Sequence, residues 1–283
     1  MIRSLTSAVS GIQAFQDEID VIGNNIANVS TIGFKSATTN LADSFSQTLA
    51  SSNLSGGDSS QVGLGVTTAG IVNQYTQGAI NPTGVQTQLA VSGNGFFEVR
   101  DPISGAEFVT RAGNFQLDSN NFLVTSNGFR VQGFTDPSLS TVGDIKIDNG
   151  SLPSTSDPNA TLTSYSVDDL GKITVGLSDG TEYIRGQVLM QNFSNPQGLS
   201  KEGNNLYSGI GSAGPLGGSA TPTLAAAGTN GLGRIQSGAL ELSNVDLSNE
   251  FSNMIQTERA FQANARVITT SDEMLQELVN LKH

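Results

Sequence analysis

Apolar residues recur every seven positions at both ends of this 283-residue chain and almost nowhere between. The first seam runs Leu5, Ile12, Ile19, Ile26, with Ala8, Phe15, Ile22 and Val29 three residues after each. The last runs Leu247, Met254, Phe261, Ile268, Leu275. This spacing marks a helix that presents one narrow stripe to another helix. It predicts a first helix over about 3–29, roughly 40 Å long, and a closing helix from near Asp246 to about Leu281, roughly 50 Å long. Asp246 is a good cap before Leu247. Gly11 and Gly23 each cost about 1 kcal/mol relative to alanine. An isolated first helix is therefore marginal and forms fully only against a partner. Beside the closing seam, Phe251, Ala265 and Val279 are apolar but Glu258 and Asp272 interrupt, and these two acids are expected to face water or another subunit's polar groups.

The middle of the chain alternates differently. Leu41, Phe45 and Leu49 fall at helical spacing and suggest a short helix, and Ser51–Gln61 reads as a flexible loop by composition. From about Val66 to Phe134 the pattern is β. Leu89-Ala90-Val91 and Phe96-Phe97-Glu98-Val99 flank Ser92-Gly93-Asn94-Gly95, a hairpin signal. Turns at Asp118–Asn121 and Asn127-Gly128 separate further short strands around Phe108–Gly113, Phe115–Leu117, Phe122–Val124 and Phe129–Gly133. Strand-like runs continue at Ile145–Ile147, Ile173–Val175 and Gln187–Met190. Pro153–Pro158 reads as a polar loop, Asn192–Tyr207 as a compact connection, and Gly209–Gly233 as an irregular arm. The fold class expected is α+β: long terminal helices pairing as a coiled-coil-like stem, with a central, mainly antiparallel β domain. The division expected is 1–29 with 240–283 as the helical stem, 30–70 as a connecting segment, and 71–239 as the β domain.

Composition narrows the function. Hydrophobic residues are 36% and charged residues only 13% of the chain. The remainder, mostly Ser, Thr, Asn, Gln and Gly, suits strands and loops with a thin, divided core. A net charge of −12 argues against nucleic acid and against an anionic membrane. There is no Cys or Trp, and one His, at position 283. A thiolate nucleophile is thereby excluded, and a Cys/His zinc site has no ligands. No run approaches the ~18 apolar residues of a membrane span. No cleavable leader is recognisable, so export would need a route that does not cut one.

No catalytic constellation emerges. Gly228–Gly233 is Gly-rich but lacks a following Lys-Ser/Thr and the strand-to-helix context of a phosphate loop. Asp118–Phe122 imitates a calcium loop, but Phe122 occupies a ligand position and the required glycine is missing. Paired carboxylates such as Asp168 with Asp169, or Glu241 with Asp246, have no motif fixing their geometry and read as surface acids. Asn28-Val29-Ser30 and Asn192-Phe193-Ser194 match a glycosylation sequon that arises often by chance. No cofactor is expected.

Several collinear motifs resemble the bacterial flagellar axial proteins of the rod and hook. Asn24-Asn25-Ile26-Ala27-Asn28 through Thr31-Ile32-Gly33-Phe34-Lys35 resembles the family's NN(I/L)AN-x-x-T-x-GFK signature. Leu89–Phe97 resembles its first β motif and Thr110-Arg111-Ala112-Gly113-Asn114-Phe115 the next. Asn195–Leu199 with Gly203–Tyr207 also fits. The closing stretch, Ser243–Ser248 through Phe261–Asn264 to Thr269–Leu275, is similar to the hook branch in particular. The length favours the distal rod, since hook proteins usually carry a large extra outer domain, for which the roughly fifty residues between Gly133 and Gly186 leave no room. The reading is a short hook-type subunit reduced to its inner parts, with the distal rod as alternative.

The resemblance implies a structural, non-enzymatic subunit that leaves through the type III export apparatus as an uncleaved, unfolded chain. It then assembles beneath the hook cap into a helical homopolymer adjoining the distal rod and the hook–filament junction proteins, outside the cell. The hook form of that tube bends while transmitting torque. The terminal helices line its interior wall. The subunit-interface residues expected are Leu5, Ala8, Ile12, Phe15, Ile19, Ile22, Ile26 and Val29, with Leu247, Phe251, Met254, Phe261, Ala265, Ile268, Leu275 and Val279. Ser51–Gln61 and Gly209–Gly233 are expected as compliant elements.

Overall fold

The computed structural model describes residues 2–50, 60–150, 152, 156–216 and 224–281. The loops read from sequence over 51–61 and 153–158, and the arm over 209–233, lie partly outside the described residues, as does His283. The chain divides into two compact units. One comprises Met1–Val29, Ser36–Gln74 and Val245–His283; the other comprises Ser30–Lys35 and Tyr75–Asn244.

The helical unit contains α1 (Ile2–Ala27), β1 (Ala37–Asp43), β2 (Ser46–Ala50), β3 (Ser60–Gly63), β4 (Val66–Asn73) and α2 (Leu247–Asn280). Asp246 caps α2 as its sequence suggests, accepting from the amides of Ser248 and Asn249 at 2.9 and 3.4 Å. β1 pairs antiparallel with β4, and β2 with β3. The short helix expected around Leu41, Phe45 and Leu49 is therefore not there. A spacing of four fits a helix and, as an even number, also fits one face of a strand, so periodicity alone could not separate the two. α1 is pinned to the hairpin at three points. Asn25 donates to the Ala37 carbonyl (2.8 Å) and accepts from the Ala37 amide (3.0 Å). Thr68 donates to Asp17 (2.8 Å), and the Val66 amide donates to Ser10 (3.3 Å).

The β unit contains β5 (Ile80–Pro82), β6 (Leu89–Ser92), β7 (Phe96–Arg100), β8 (Glu107–Thr110), β9 (Gln116–Leu117), β10 (Leu123–Val124), β11 (Arg130–Phe134) and β12 (Val142–Asp144). It continues with β13 (Leu162–Val167), β14 (Lys172–Leu177), β15 (Glu182–Gln191), β16 (Ser200–Gly203), β17 (Leu206–Ser208), β18 (Ala225–Ala226), β19 (Arg234–Ser237) and β20 (Ala239–Glu241). Among the described residues, twelve of these strands join one sheet, eight along the path β13-β14-β15-β11-β7-β8-β17-β16 and four, β9, β10, β12 and β18, off it, with every pairing antiparallel. The expected α+β architecture of terminal helices and a central antiparallel β region is what the chain adopts.

One hairpin is not where the sequence put it. β6 pairs with β19, and β7 turns instead into β8. The link Gly93–Gly95 crosses between sheets, held where the Gly233 amide donates to the Asn94 carbonyl at 2.7 Å. The turns at Asp118–Asn121 and Asn127-Gly128 do form hairpins, joining β9 to β10 and β10 to β11. Ile145 and Ile147 are buried beside the sheet rather than in a strand.

β7 is buried on both faces, which its run of apolar residues reflects. Phe97 and Val99 enter a large core with Val131, Ile173 and Val188. Phe96 turns the other way, into a smaller cluster with Phe193, Leu199 and Tyr207. Phe96 and Phe193 meet edge-on, their centroids 5.6 Å apart.

Candidate assembly surface and a buried ionic clasp

Two contacts fix how α1 and α2 lie. Asn25 donates to Glu250 Oε1 at 3.1 Å. A Cβ placed on Gly11 would come within 2.5 Å of Asn264 Nδ2, so glycine allows the close approach there. The contacts are two heptads apart on each helix and run in opposite senses, so the helices are antiparallel. The α2 column that this register presents is Glu250, Thr257, Asn264 and Ser271, and Thr257 and Ser271 are the buried residues of α2. The Leu247–Leu275 seam lies between this polar column and the Phe251–Val279 column, and the polar one faces α1. Those buried hydroxyls are satisfied within their own helix: Thr257 donates to the Asn253 carbonyl at 2.9 Å and Ser271 to the Val267 carbonyl at 2.7 Å. Burial pushes the Glu250 carboxyl above its ordinary pKa, against the bond from Asn25.

The expected interface residues divide by burial. On α1 and the turn after it, Ala8 and Ile22 are buried, and Leu5, Ile12, Phe15, Ile19, Ile26 and Val29 are half-buried. On α2, Met254, Phe261, Ala265 and Ile268 are half-buried, whereas Leu247, Phe251, Leu275 and Val279 are exposed. Glu258 and Asp272 are exposed as well. The register carries α2 past Ile2, and every described residue from Asp272 to Leu281 is exposed. A second apolar stripe there, Val267, Met274, Leu278 and Leu281, escaped the heptad reading, and Leu281 is 81% exposed. Its spacing of seven, four and three was the available signal: a helix apolar on two faces has more than one partner.

The β unit holds a different feature. Glu241 and Lys35 form an ion pair at 2.7 Å with both side chains fully buried, and Arg111 reaches the other Glu241 oxygen at 3.2 Å. Glu241 was read from sequence as a surface acid; it is instead the centre of a buried triad. Its Oε1 also accepts from the Gly78 amide (3.0 Å), and its carbonyl from the Gly33 amide (2.8 Å). Lys35 donates to the Thr76 carbonyl (2.7 Å), and Arg111 to the Gly93 carbonyl (2.8 Å). Burial lowers the pKa of both cations, and Glu241 partly restores each. Gly33 sits at φ +69° with the backbone of Arg111 and Ala112 where a side chain would go. Residues far apart in the chain, including two of the motif segments, are thus clasped at one carboxylate. Asp168 and Asp169 are exposed. Among the described residues no group of three or more His, Cys, Asp or Glu is placed to hold a metal.

The chain thus carries a terminal helix pair with uncovered apolar faces and, as a separate unit, an antiparallel β region clasped at one buried carboxylate. Three family models match: "Flagella basal body rod protein" over residues 5–35, "Flagellar hook protein FlgE/F/G D1 domain" over 90–175, and "Flagellar basal body rod FlgEFG protein C-terminal" over 236–281. The flagellar basal-body rod protein FlgG of Bacillus subtilis is 39% identical over 287 positions covering all of both chains. FlgG of Borreliella burgdorferi is 33% identical, covering 100% of this chain and 99% of that one. The flagellar hook protein FlgE of Escherichia coli is 28% identical over 420 positions, covering 99% of this chain and 100% of that one. A solved structure, the hook protein FlgE2 of Helicobacter pylori, is similar over 50% of this chain and 32% of that one, with 18% identity and a TM-score of 0.22. The chain belongs to the flagellar rod and hook family, FlgE/F/G. It is a structural component of the flagellum and not an enzyme.

Proposed function

We propose that this chain is a rod subunit of the flagellar basal body, polymerising head to tail into an open helical tube. The observation that carries polymerisation is the uncovered apolar surface of α2, from Leu247 and Phe251 to Met274, Leu275, Leu278 and Val279. Burying each such side chain contributes about 1.5–3 kcal/mol before ordering entropy. In this reading the sixteen seam residues named from sequence share the work. Those half-buried between α1 and α2 fix the pair, and those exposed on α2 meet neighbouring copies. A repeated contact between unlike patches that does not close a ring gives an open array. Its other partners in this reading are the adjoining rod and hook proteins, the junction proteins, the cap and the export apparatus, which it would leave as an uncleaved chain.

Length favours rod over the hook assignment drawn from the terminal motifs. The rod relatives match end to end. The alignment to the hook relative runs to 420 positions against 283 residues here, so well over a hundred positions there have no counterpart. The hook reading keeps one support, the likeness of the closing segment to hook proteins. Gold labelling of an epitope-tagged chain in purified basal bodies separates the two. Label within the envelope-spanning shaft is expected, and label only beyond the outer surface would return the assignment to the hook.

A further inference from the structure

A pocket of about 500 Å³ opens in the β unit at one end of the β7–β8 hairpin. Its walls include Tyr75, Phe96, Phe193 and Leu216, with Ser194 at the exposed rim. Arg111 also lines it, 3% exposed, and its Nε has no hydrogen-bond partner among the described residues. The other two guanidinium nitrogens are engaged by Glu241 and the Gly93 carbonyl. Arg111 Nε itself is shut off from solvent, so the groups that face an incoming chain are the apolar walls and the polar side chains of Asn94 and Asn192, and the pocket suits an apolar group accompanied by a hydrogen-bond acceptor.

The opposite end of the same hairpin presents such a group. The turn Asp101–Ala106 carries Ile103 with 94% of its surface exposed. The turn is stiffened from within: the Ile103 amide donates to Asp101 Oδ1 at 2.9 Å, and Ser104 Oγ to Asp101 Oδ2 at 2.6 Å. The Asp101 and Gly105 backbones close it (2.9 Å). The carbonyls of Pro102 and Ile103 accept none of the hydrogen bonds among the described residues. The turn therefore offers an apolar tip and free acceptors in a fixed shape. β7 alone separates tip from pocket, five residues or roughly 17 Å.

We propose that the β7–β8 turn of one copy seats in the Phe96–Arg111 pocket of the next, Ile103 filling the apolar part and a turn carbonyl meeting the side-chain amide of Asn94 or Asn192. Knob and hole lie at opposite ends of one hairpin, so the contact joins unlike patches head to tail, the kind of contact that gives an open array when its rotation does not close a ring. This contact rests on the polymer reading above and gives that polymer a second junction, independent of the helices.

The chain has no cysteine, so introduced thiols report cleanly. The full-length variant carrying both Ile103→Cys and Ser194→Cys is assembled, pelleted, imaged and oxidised with a copper catalyst. A ladder of dimers, trimers and longer species on a non-reducing gel is expected, with each single variant giving none. The companion variant Ile103→Asp should raise the concentration needed for assembly at least tenfold while its circular dichroism stays that of the wild type. Polymers that form without a ladder, or an Ile103→Asp chain that assembles as readily as wild type, overturn this contact alone. A wild-type chain that never polymerises overturns the parent reading and the contact with it.

Discussion

Replacing Glu241 with alanine would leave Lys35 and Arg111 buried without their counter-charge. Their side chains are 0% and 3% exposed, so bulk solvent does not screen them in the carboxylate's place. Removing one member of a buried ion pair costs about 3–5 kcal/mol. Two orphaned cations need not double that figure. Burial already depresses the Lys35 pKa, and without Glu241, which raises it, the pKa would fall further and make the proton easier to lose. Arg111 has no such escape. The β unit should therefore lose about 3–5 kcal/mol, which for a domain of this size lowers its melting temperature by roughly 6–20 °C. Calorimetry of the full chain at concentrations below assembly reads this as a shift of one transition. The deficit has a predictable pH course. A lysine whose folded pKa lies below its unfolded value of 10.5 carries a penalty that disappears as pH approaches that value. The Glu241→Ala deficit should accordingly narrow between neutral pH and about 10. Adding Lys35→Met and Arg111→Met should recover most of the loss. A Glu241→Ala chain that melts within 2 °C of wild type would refute the clasp.

Two further substitutions probe the β unit. Burial, with Glu107 adding to it, pushes the Glu98 carboxyl up to about 8, and its Oε2 has no partner among the described residues. An acid whose folded pKa is raised stabilises below its unfolded pKa and loses that stability as pH rises through the folded one. Wild type should thus weaken between pH 4.5 and 8 by up to about 5 kcal/mol, and Glu98→Gln should flatten the curve. Urea denaturation at pH 5 and 8.5 decides, and equal slopes for both chains would sink the point. Gly33→Ala must place a Cβ 2.6 Å from the Ala112 amide nitrogen at φ +69°. It should cost roughly 2–4 kcal/mol, and a thermal melt unchanged from wild type would contradict this.

The terminal helices were legible because their signals are local: a seven-residue period, a capping aspartate, and no competing strand pattern. The turns at Asp118–Asn121 and Asn127-Gly128 were legible for the same reason. What failed depended on distant partners. Leu41, Phe45 and Leu49 obey a spacing that helices and strands share, and pairing with β3 and β4 decided between them. β6 looked like the first arm of a hairpin, but its partner, β19, lies about 140 residues further on. Glu241 resembled any surface acid until the fold brought Lys35 and Arg111 to it. The polar column of α2 was overlooked because Thr257 and Ser271 bury hydroxyls that their own helix satisfies, which leaves no apolar mark in the sequence. The stripe Val267, Met274, Leu278 and Leu281 was readable and was passed over for the stronger seam beside it.

Amide hydrogen exchange across residues 267–281, compared between the unassembled chain and its polymer, addresses the central claim most directly. If neighbouring copies cover the apolar faces that α2 leaves open, these amides should exchange rapidly in the single chain and slow by at least about a hundredfold on assembly. Equal exchange in both states would mean that α2 is not where the copies meet.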